Sequence, residues 1–471
     1  MTMEARQQKA GPDPHRLDAL RAELGDALRT DPEVRNAARA DRSGHVAPEP
    51  PLAVVEATSI EQVQATLRFA TANGIPVVPR GAGTGLAGAG IGGSGELVLS
   101  TARMNRILEI SVDDELAVVE PGVLNGDLNA ELASRGLWYA PDPASRAIST
   151  IGGNIATNAG GLLCAKYGVT REAVLGLKVV LADGRQISTG HRTVKGVTGY
   201  DLTALMTGSE GTLGVIVEAT LRLRPLPRGG VSTLSGSFAS VEDAARAAAV
   251  IVASGIKPAI MELLDAASLA SIREYLDVDL GPGALLLVQT DETAFESEAA
   301  DAAAVMRSLG GTVELTTDRD EGERLFAIRR AFHPSLVATG RTVLIEDVAV
   351  PRSALPAMFA AVQRIETSYG ISIPTVAHAG DGNLHPNFVF DAPESADGHV
   401  EVPDHVWAAA DELFLDCLRL GGTLTGEHGV GLLKRRWLKD ELGEDSYQLQ
   451  REIKRVFDPA GILNPAKVFT D

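Results

Sequence analysis

The stretch PRGAGTGLAGAGIGGSGELVLS, residues 79–100, contains eight glycines among the fifteen residues from Gly81 to Gly95. Its segment Gly83–Gly88 fits the G-x-G-x-x-G pattern of dinucleotide-binding folds, which requires a helix that begins directly at the glycines. Here further glycines follow, and each would cost a helix about 1 kcal/mol relative to alanine. We therefore predict a loop, in which any bound phosphate is held by unobstructed backbone N–H groups rather than by a helix.

A second glycine-rich segment, ISTIGGNIATNAGG, spans residues 148–161 and adds small polar side chains. Most connections between elements have only about 4–6 residues, so two long glycine regions fit poorly with tight turns between strands, although such turns remain the alternative. We expect both segments to let the backbone approach an extended dinucleotide.

The composition indicates a globular protein with two or three domains, since the chain has 471 residues. The net charge of −19 argues against nucleic acid and against anionic membrane surfaces as partners. No apolar run reaches the roughly 18 residues of a membrane helix, and the N-terminus lacks the apolar segment of a signal peptide. Only two cysteines occur, Cys164 and Cys417, which is too few for a disulfide framework or an iron–sulfur site. A cytoplasmic location is expected.

Pattern changes divide the chain into an N-terminal tail with a short helix (1–47), a first domain (48–227) and a second domain (228–471). Residues 53–81 predict a strand, a helix and a strand, with Ser59 and Gln62 as a capping box and Gly74 as the end of the helix. In the second domain, alternating helices and strands predict an antiparallel sheet covered by helices on one face. The predicted class is α+β.

The segment HAGDGNLHPN contains two histidines, His378 and His385, separated by glycines that disfavour a helix. A loop between two strands can bring both imidazoles to one metal ion, and Glu427 of TGEHGVG is the candidate third ligand. Two histidines and one carboxylate would leave positions open for a substrate. Two unrelated surface histidines remain the alternative.

Two further residues suggest chemistry. His428 follows Glu427, and because neighbouring side chains in a loop point in different directions, it can face a substrate as a general base. Arg329 lies on a helical pattern and could hold a carboxylate with two parallel hydrogen bonds. A hydrogen-bonded loop histidine and an exposed Arg329–Arg330 pair are the alternatives.

Taken in order, seven motifs resemble the flavoprotein family that includes vanillyl-alcohol oxidase and p-cresol methylhydroxylase: PRGAGTGLAG, STIGGNIATNAGG, KYG, GYDLTALMTGSEGTLGVI, HAGDGNLHP, GEHGVG and DPAGILNPAK. The most similar branch contains glycolate oxidase flavoprotein subunits, D-lactate dehydrogenases and D-2-hydroxyglutarate dehydrogenases. The resemblance covers residue 48 to the C-terminus. It implies an FAD-binding domain of two subdomains, followed by a C-terminal α+β substrate domain.

The resemblance also implies site residues. His378, His385 and Glu427 match divalent-metal ligands, with zinc or manganese as the expected ion, while His428, Arg329 and Asn387 match catalytic and substrate-binding positions. No histidine or cysteine occurs from Arg80 to Ser100 to attach the flavin, so FAD is expected to be non-covalent. The positions that match FAD contacts are Arg80, Gly81, Ala82, Gly83, Thr84, Gly85, Leu86, Pro141, Asp142, Ser145, Thr150, Gly153, Asn154, Thr157, Asn158, Gly160, Gly211, Gly214, Ile216 and Asn464.

The activity implied is oxidation of a short D-2-hydroxy acid, glycolate or D-lactate, with hydride passing to flavin N5. The electrons would leave to an external acceptor, namely an iron–sulfur subunit, an electron-transferring flavoprotein or a quinone, which could place the protein at a membrane periphery. The D-2-hydroxyglutarate enzymes carry a lysine near Ile345, and an apolar residue here favours the shorter acids. A D-2-hydroxyglutarate dehydrogenase, an oxygen-using alcohol or aldonolactone oxidase, and a nucleotide-binding module with a structural metal remain alternatives. A homodimer is compatible with the sequence.

Overall fold

The computed structural model describes residues 17–392 and 401–470. Residues 1–16, the first part of the predicted N-terminal tail and helix (1–47), therefore lie outside the described residues. Within the described ranges, no helix combines the length and the apolar character needed to cross a bilayer.

The first glycine loop follows a small mixed sheet. Its strands lie in the order β1-β2-β4-β3, with β2, β4 and β3 parallel. The N-cap and the helix end are confirmed, because Ser59 Oγ accepts from Gln62 N (3.4 Å) and Gly74 ends the helix with a left-handed φ of 58°. The reciprocal bond of the capping box differs, since Gln62 Oε1 accepts from Thr58 N (2.8 Å) rather than from Ser59 N. The elements are α1 (Asp18–Leu24), β1 (Leu28–Arg29), α2 (Pro32–Ala37), β2 (Ala53–Glu56), α3 (Ile60–Asn73), β3 (Val77–Arg80) and β4 (Leu97–Ser100).

A second, antiparallel sheet has the strand order β5-β6-β10-β8-β9 and buries one face against short helices. The second glycine region is not only turns, since it holds helix α5, whose N-cap Thr150 accepts from Gly153 N. The elements are β5 (Ile107–Ser111), β6 (Leu116–Val119), α4 (Asn125–Ala133), β7 (Leu137–Trp138), α5 (Ile151–Thr157), α6 (Cys164–Tyr167), α7 (Thr170–Ala173), β8 (Val174–Val180), β9 (Gln186–Gly190), α8 (Leu202–Met206), β10 (Val215–Arg222) and β11 (Arg224–Pro225).

The C-terminal half is built on one large antiparallel sheet with the order β15-β12-β14-β13-β18-β19-β16, and β17 also pairs with β19. The elements are β12 (Ser232–Phe238), α9 (Val241–Ala253), β13 (Ile260–Leu264), α10 (Ala266–Leu276), β14 (Ala284–Thr290), α11 (Phe295–Ser308), β15 (Thr312–Thr316), α12 (Arg319–Arg330), α13 (Phe332–Ala338), β16 (Thr342–Ile345), β17 (Val348–Ala349), α14 (Leu355–Tyr369), β18 (Thr375–His378), β19 (Asn383–Phe390), α15 (Asp404–Arg419) and α16 (Leu438–Phe457).

The prediction that helices cover one face of this sheet is wrong. Along β14, Leu286 and Val288 join a core with α9, α11, α14 and α15, whereas Leu285 and Leu287 join a separate core with α10, α12 and α13. A strand buried on both faces is a continuous apolar run rather than an alternating one. The run ALLLV at residues 284–288 is continuous in this way and indicates a strand that is buried on both faces.

Both ends of the described chain pack against the first sheet and its helix α3. Leu20 and Leu24 of α1 belong to the core that contains Val63 of α3. At the other end, Ile462 O accepts from Val77 N (2.7 Å), and Asn464 N donates to Val77 O (2.8 Å). The residues around 463 thus contact the first domain, although they follow the second in sequence.

Candidate active site

A cavity of about 790 Å³ lies between the glycine loop, helix α5, the segment after α8 and the GEHGVG loop. Eighteen of the predicted site residues line it: Arg80, Gly81, Ala82, Gly83, Thr84, Gly85, Leu86, Ser145, Thr150, Gly153, Asn154, Thr157, Gly160, Gly211, Gly214, Ile216, Glu427 and His428. The structure therefore brings both glycine regions and one end of the predicted metal site to a single cavity.

Four predicted cofactor residues do not line this cavity but support its walls. Pro141 O accepts from Asn125 Nδ2, and Asp142 Oδ1 accepts from Leu163 N. Asn158 ends α5 in a left-handed conformation. Asn464 Nδ2 donates to Ala89 O and Glu210 O.

The glycine loop fits a phosphate-containing dinucleotide. Among the described residues, no protein group accepts a hydrogen bond from the backbone N–H groups of residues 81–86. A Cβ on Gly81 would lie 2.4 Å from Thr150 Oγ1, so a side chain there would force the two glycine regions apart. Arg80 braces the loop, because its guanidinium donates to Gly90 O (2.6 Å) and Ala40 O (2.8 Å).

The two predicted histidine ligands lie on adjacent strands rather than in a long loop. His378 ends β18 and His385 is in β19, so the connection is a short hairpin turn that includes Gly380 and Gly382. Gly382 has a φ of 89°, which favours glycine. Antiparallel pairing thus places both rings on neighbouring strands of one sheet.

These two histidines and Glu427 form a cluster that suits a divalent metal ion. Their potential ligand atoms all lie within 4.8 Å of one another, and Glu427 Oε1 is 3.2 Å from His385 Nε2 and 3.6 Å from His378 Nε2. Burial alone would lower the pKa of His378, but the carboxylates of Glu262 and Glu427 raise it well above its usual value. Two nitrogen donors and one carboxylate are a donor set typical of zinc and related ions.

Buried carboxylates, which the sequence interpretation missed, hold these groups in place. Glu262 of β13 contacts both His378 and Arg329. Asp347 Oδ2 accepts from the backbone N–H groups of Glu427 and His428, each at 3.0 Å. The sequence did contain a signal for these buried carboxylates, namely an acidic residue inside an apolar segment, as in AIMELLD and LIEDVAV. Acidic residues are rarely fully buried without partners, so such a residue indicates a buried ion pair or hydrogen-bond network.

His428 lines the cavity beside the metal cluster. Its ring stacks on that of His385, with centroids 5.2 Å apart and an interplanar angle of 17°. Burial lowers the pKa of His428 to about 4, although Asp347 opposes the shift. The ring is therefore neutral at neutral pH and can accept a proton.

Arg329 and Asn387 are close to the cluster but do not line the cavity. Arg329 Nε donates to Glu262 Oε2 at 2.7 Å, near the end of α12. Asn387 is buried on β19, and its Nδ2 donates to His385 O at 2.7 Å.

Of the basic side chains that could serve a second substrate carboxylate, His333 lines the cavity, together with Ile345 and Arg42. Burial and the neighbouring Arg42 lower the pKa of His333 and so disfavour its charged form. Arg42 comes from the N-terminal segment, which the sequence interpretation did not consider. Arg330 instead pairs with Glu323, and Lys434 is buried against Asp347 O and Leu424 O.

Comparison with known proteins identifies the family to which the chain belongs. Residues 51–190 match an FAD binding domain, and residues 231–468 match the C-terminal domain of FAD linked oxidases. The Bacillus subtilis glycolate oxidase subunit GlcD is 41% identical over 89% of each chain. The Archaeoglobus fulgidus D-lactate dehydrogenase is 37% identical over 88% of this chain and 90% of that relative.

A solved structure of p-cresol methylhydroxylase shares the fold, with a TM-score of 0.77 at 19% identity over 98% of both chains. The resemblance inferred from the seven motifs and the predicted fold class are both confirmed. The chain belongs to the FAD-linked oxidase family and is an FAD-dependent oxidoreductase.

Proposed function

We propose that this protein oxidises a short D-2-hydroxy acid, glycolate or D-lactate, to the 2-oxo acid, with non-covalently bound FAD and a divalent metal, zinc or manganese. The observation that carries the proposal is that the glycine loop, Glu427 of the His378–His385–Glu427 cluster and the neutral ring of His428 line one cavity. The names of the B. subtilis and A. fulgidus relatives support the substrate class. The domain limits of 48–227 and 228–471 remain part of this proposal.

The residues of the chain have separate roles in the proposed reaction. Arg329 binds the substrate carboxylate through its terminal nitrogens, and Asn387 supports the strand that carries His385. His428 accepts the hydroxyl proton on a ring nitrogen. When bound, FAD supplies the hydride acceptor, N5, and the metal at His378, His385 and Glu427 supplies a Lewis acid that lowers the pKa of the hydroxyl.

We propose that bound FAD would pass its electrons to an acceptor outside the chain; among the described residues, neither Cys164 nor Cys417 belongs to a cluster of metal-ligating residues. An iron–sulfur subunit, an electron-transferring flavoprotein and a quinone are the candidate acceptors. We propose a cytoplasmic protein, in contact with a membrane only through such a partner.

Anaerobic mixing with D- and L-2-hydroxy acids tests the proposal, with flavin bleaching as the readout. We expect D-lactate or glycolate to give a higher kcat/KM than D-2-hydroxyglutarate, because Ile345 offers no charge and an unpaired buried carboxylate is costly to desolvate. A clear preference for D-2-hydroxyglutarate would contradict this and would assign the second carboxylate to His333 or Arg42. Bleaching by none of the acids would refute the proposed function.

A further inference from the structure

Glu262 lies at the centre of the large sheet and has no solvent exposure. It is on β13, directly opposite His378 of β18 in the strand register. Its Oε1 lies 2.6 Å from His378 Nδ1, and its Oε2 lies 2.7 Å from Arg329 Nε. Each carboxylate oxygen therefore serves a different residue of the proposed site.

The contact with His378 determines which ring nitrogen can bind a metal. A carboxylate only accepts hydrogen bonds, so the proton must be on Nδ1. Once Nε2 gives up its proton to bind a metal ion, its lone pair is directed toward the side of Glu427, the other end of the cluster. His385 has no equivalent partner, because among the described residues its buried Nδ1 makes no hydrogen bond and lies 4.0 Å from Asp347 Oδ1.

The contact with Arg329 orients the guanidinium. The group is planar, so fixing Nε against Glu262 fixes the direction of both terminal nitrogens. Among the described residues these nitrogens have no other hydrogen-bond acceptor. The same carboxylate thus sets the direction of a proposed metal ligand and of the proposed carboxylate-binding cation.

We propose that Glu262 is a positioning residue that couples the metal site to the substrate-carboxylate site, an inference that rests on the proposed function. Glu262 contacts neither substrate nor cofactor in this role. It acts through His378 and Arg329, and loss of its charge should weaken metal and substrate binding together.

Glu262→Gln tests this coupling, because His378 and Arg329 contact different carboxylate oxygens and one of these becomes an amide NH2, which donates and cannot accept from the donor that faces it. FAD-loaded protein is titrated with Zn²⁺ in competition with a chromophoric chelator. We expect about 10–100-fold weaker Zn²⁺ binding, as for loss of other carboxylates that orient a histidine ligand. The KM for D-lactate should rise by a larger factor than kcat falls, because Arg329 loses its orientation.

Asp265→Asn is the matched control. Asp265 is also a buried carboxylate, but its oxygens accept from Ser268 N (2.7 Å) and Thr375 N (2.9 Å) and touch no site residue. The control should keep wild-type Zn²⁺ affinity even if its thermal stability falls. An equal loss in both variants would show a general packing effect and overturn the inference.

The Zn²⁺ titration also distinguishes failure of the proposed function from failure of the inference about Glu262. Wild-type protein that does not bind Zn²⁺ refutes both the metal part of the proposed function and this inference. Zn²⁺ binding that is equal in wild type and Glu262→Gln refutes this inference alone. If Glu262→Gln does not retain FAD, Glu262→Asp replaces it, since it keeps the charge but is one methylene shorter. Wild-type Zn²⁺ affinity and KM in Glu262→Asp would then overturn the coupling.

Discussion

The proposed base, His428, owes its low pKa to burial beside the rings and charges of the metal cluster. His428→Ala should keep bound FAD, because the glycine loop is untouched, but should lower the rate of flavin reduction by roughly 10²–10⁴-fold. Anaerobic stopped-flow absorbance with D-lactate measures this rate. Reduction within about threefold of wild type, far less than a general-base effect, would exclude His428 as the base.

Arg329 and Arg330 are neighbours in sequence but differ in surroundings. Arg329 is partly buried against Glu262, whereas Arg330 is exposed beside Glu323. Arg329→Ala should abolish measurable oxidation and leave the flavin spectrum intact, since the residue does not line the cofactor cavity. It also leaves Glu262 without one of its two cationic partners, so thermal stability should fall.

Arg330→Ala is the matched control for that prediction. Exposed ion pairs contribute about 0–1 kcal/mol, so this variant should retain wild-type kcat/KM and stability. Equal losses of activity in the two variants would mean that the helix end, rather than the Arg329 guanidinium, is required.

The glycine loop is an element whose backbone must approach its neighbours closely. Gly81→Ala would place a Cβ 2.4 Å from Thr150 Oγ1, so FAD affinity should fall by about 5–150-fold, since overpacking of this kind typically costs about 1–3 kcal/mol. The measurement is reconstitution of the apoprotein with FAD, followed by fluorescence quenching.

Gly93→Ala is the control in the same loop. Its Cβ would meet its nearest neighbour, Ala47 Cβ, at an ordinary 3.6 Å, and its φ is not in the left-handed region. We expect FAD affinity close to wild type. Equal weakening of both variants would indicate that the loop needs glycine for flexibility rather than for close packing.

At the scale of the whole molecule, Glu210 joins the two domains. Its buried carboxylate accepts from the N–H groups of Val430 (2.8 Å) and Gly431 (2.9 Å), which belong to the GEHGVG loop. Burial raises the pKa of Glu210 from 4.5 to about 7, and the two N–H groups only partly oppose this. The pKa of Glu210 is higher in the folded protein than in the unfolded chain. Protonated Glu210 therefore makes its full contribution to the free energy of unfolding below about pH 4.5, and this contribution is lost as the pH rises through about 7.

Glu210→Gln should therefore reduce the loss of thermal stability between about pH 5 and pH 7, since an amide does not titrate in this range. Melting temperatures of wild type and variant across that range provide the measurement. Other buried acids, such as Asp142 with a pKa of about 7, keep part of the pH dependence in the variant. If the melting temperatures of the two proteins change equally with pH, the role given to Glu210 is contradicted.

Local backbone chemistry made much of this protein predictable from its sequence. Glycines from Gly81 to Gly95 exclude a helix whatever surrounds them, and a serine cap and a left-handed glycine delimit α3 because these contacts involve residues close in the chain. The seven ordered motifs identified the family, and with it FAD and the fold class. The roles of His428, Arg329 and the metal ligands remain predictions.

Only the tertiary structure shows which residues from distant parts of the sequence contact one another. Glu262 meets His378 through pairing of β13 with β18, and Asp347 reaches the GEHGVG backbone from another strand. Helices cover both faces of the large sheet, and the segment around Leu463 pairs with Val77 across nearly the whole chain. An apolar run can indicate that a strand is buried on both faces, but short-range periodicity and spacing do not specify which elements meet, because strand order and the partners of a buried carboxylate depend on which elements pack together.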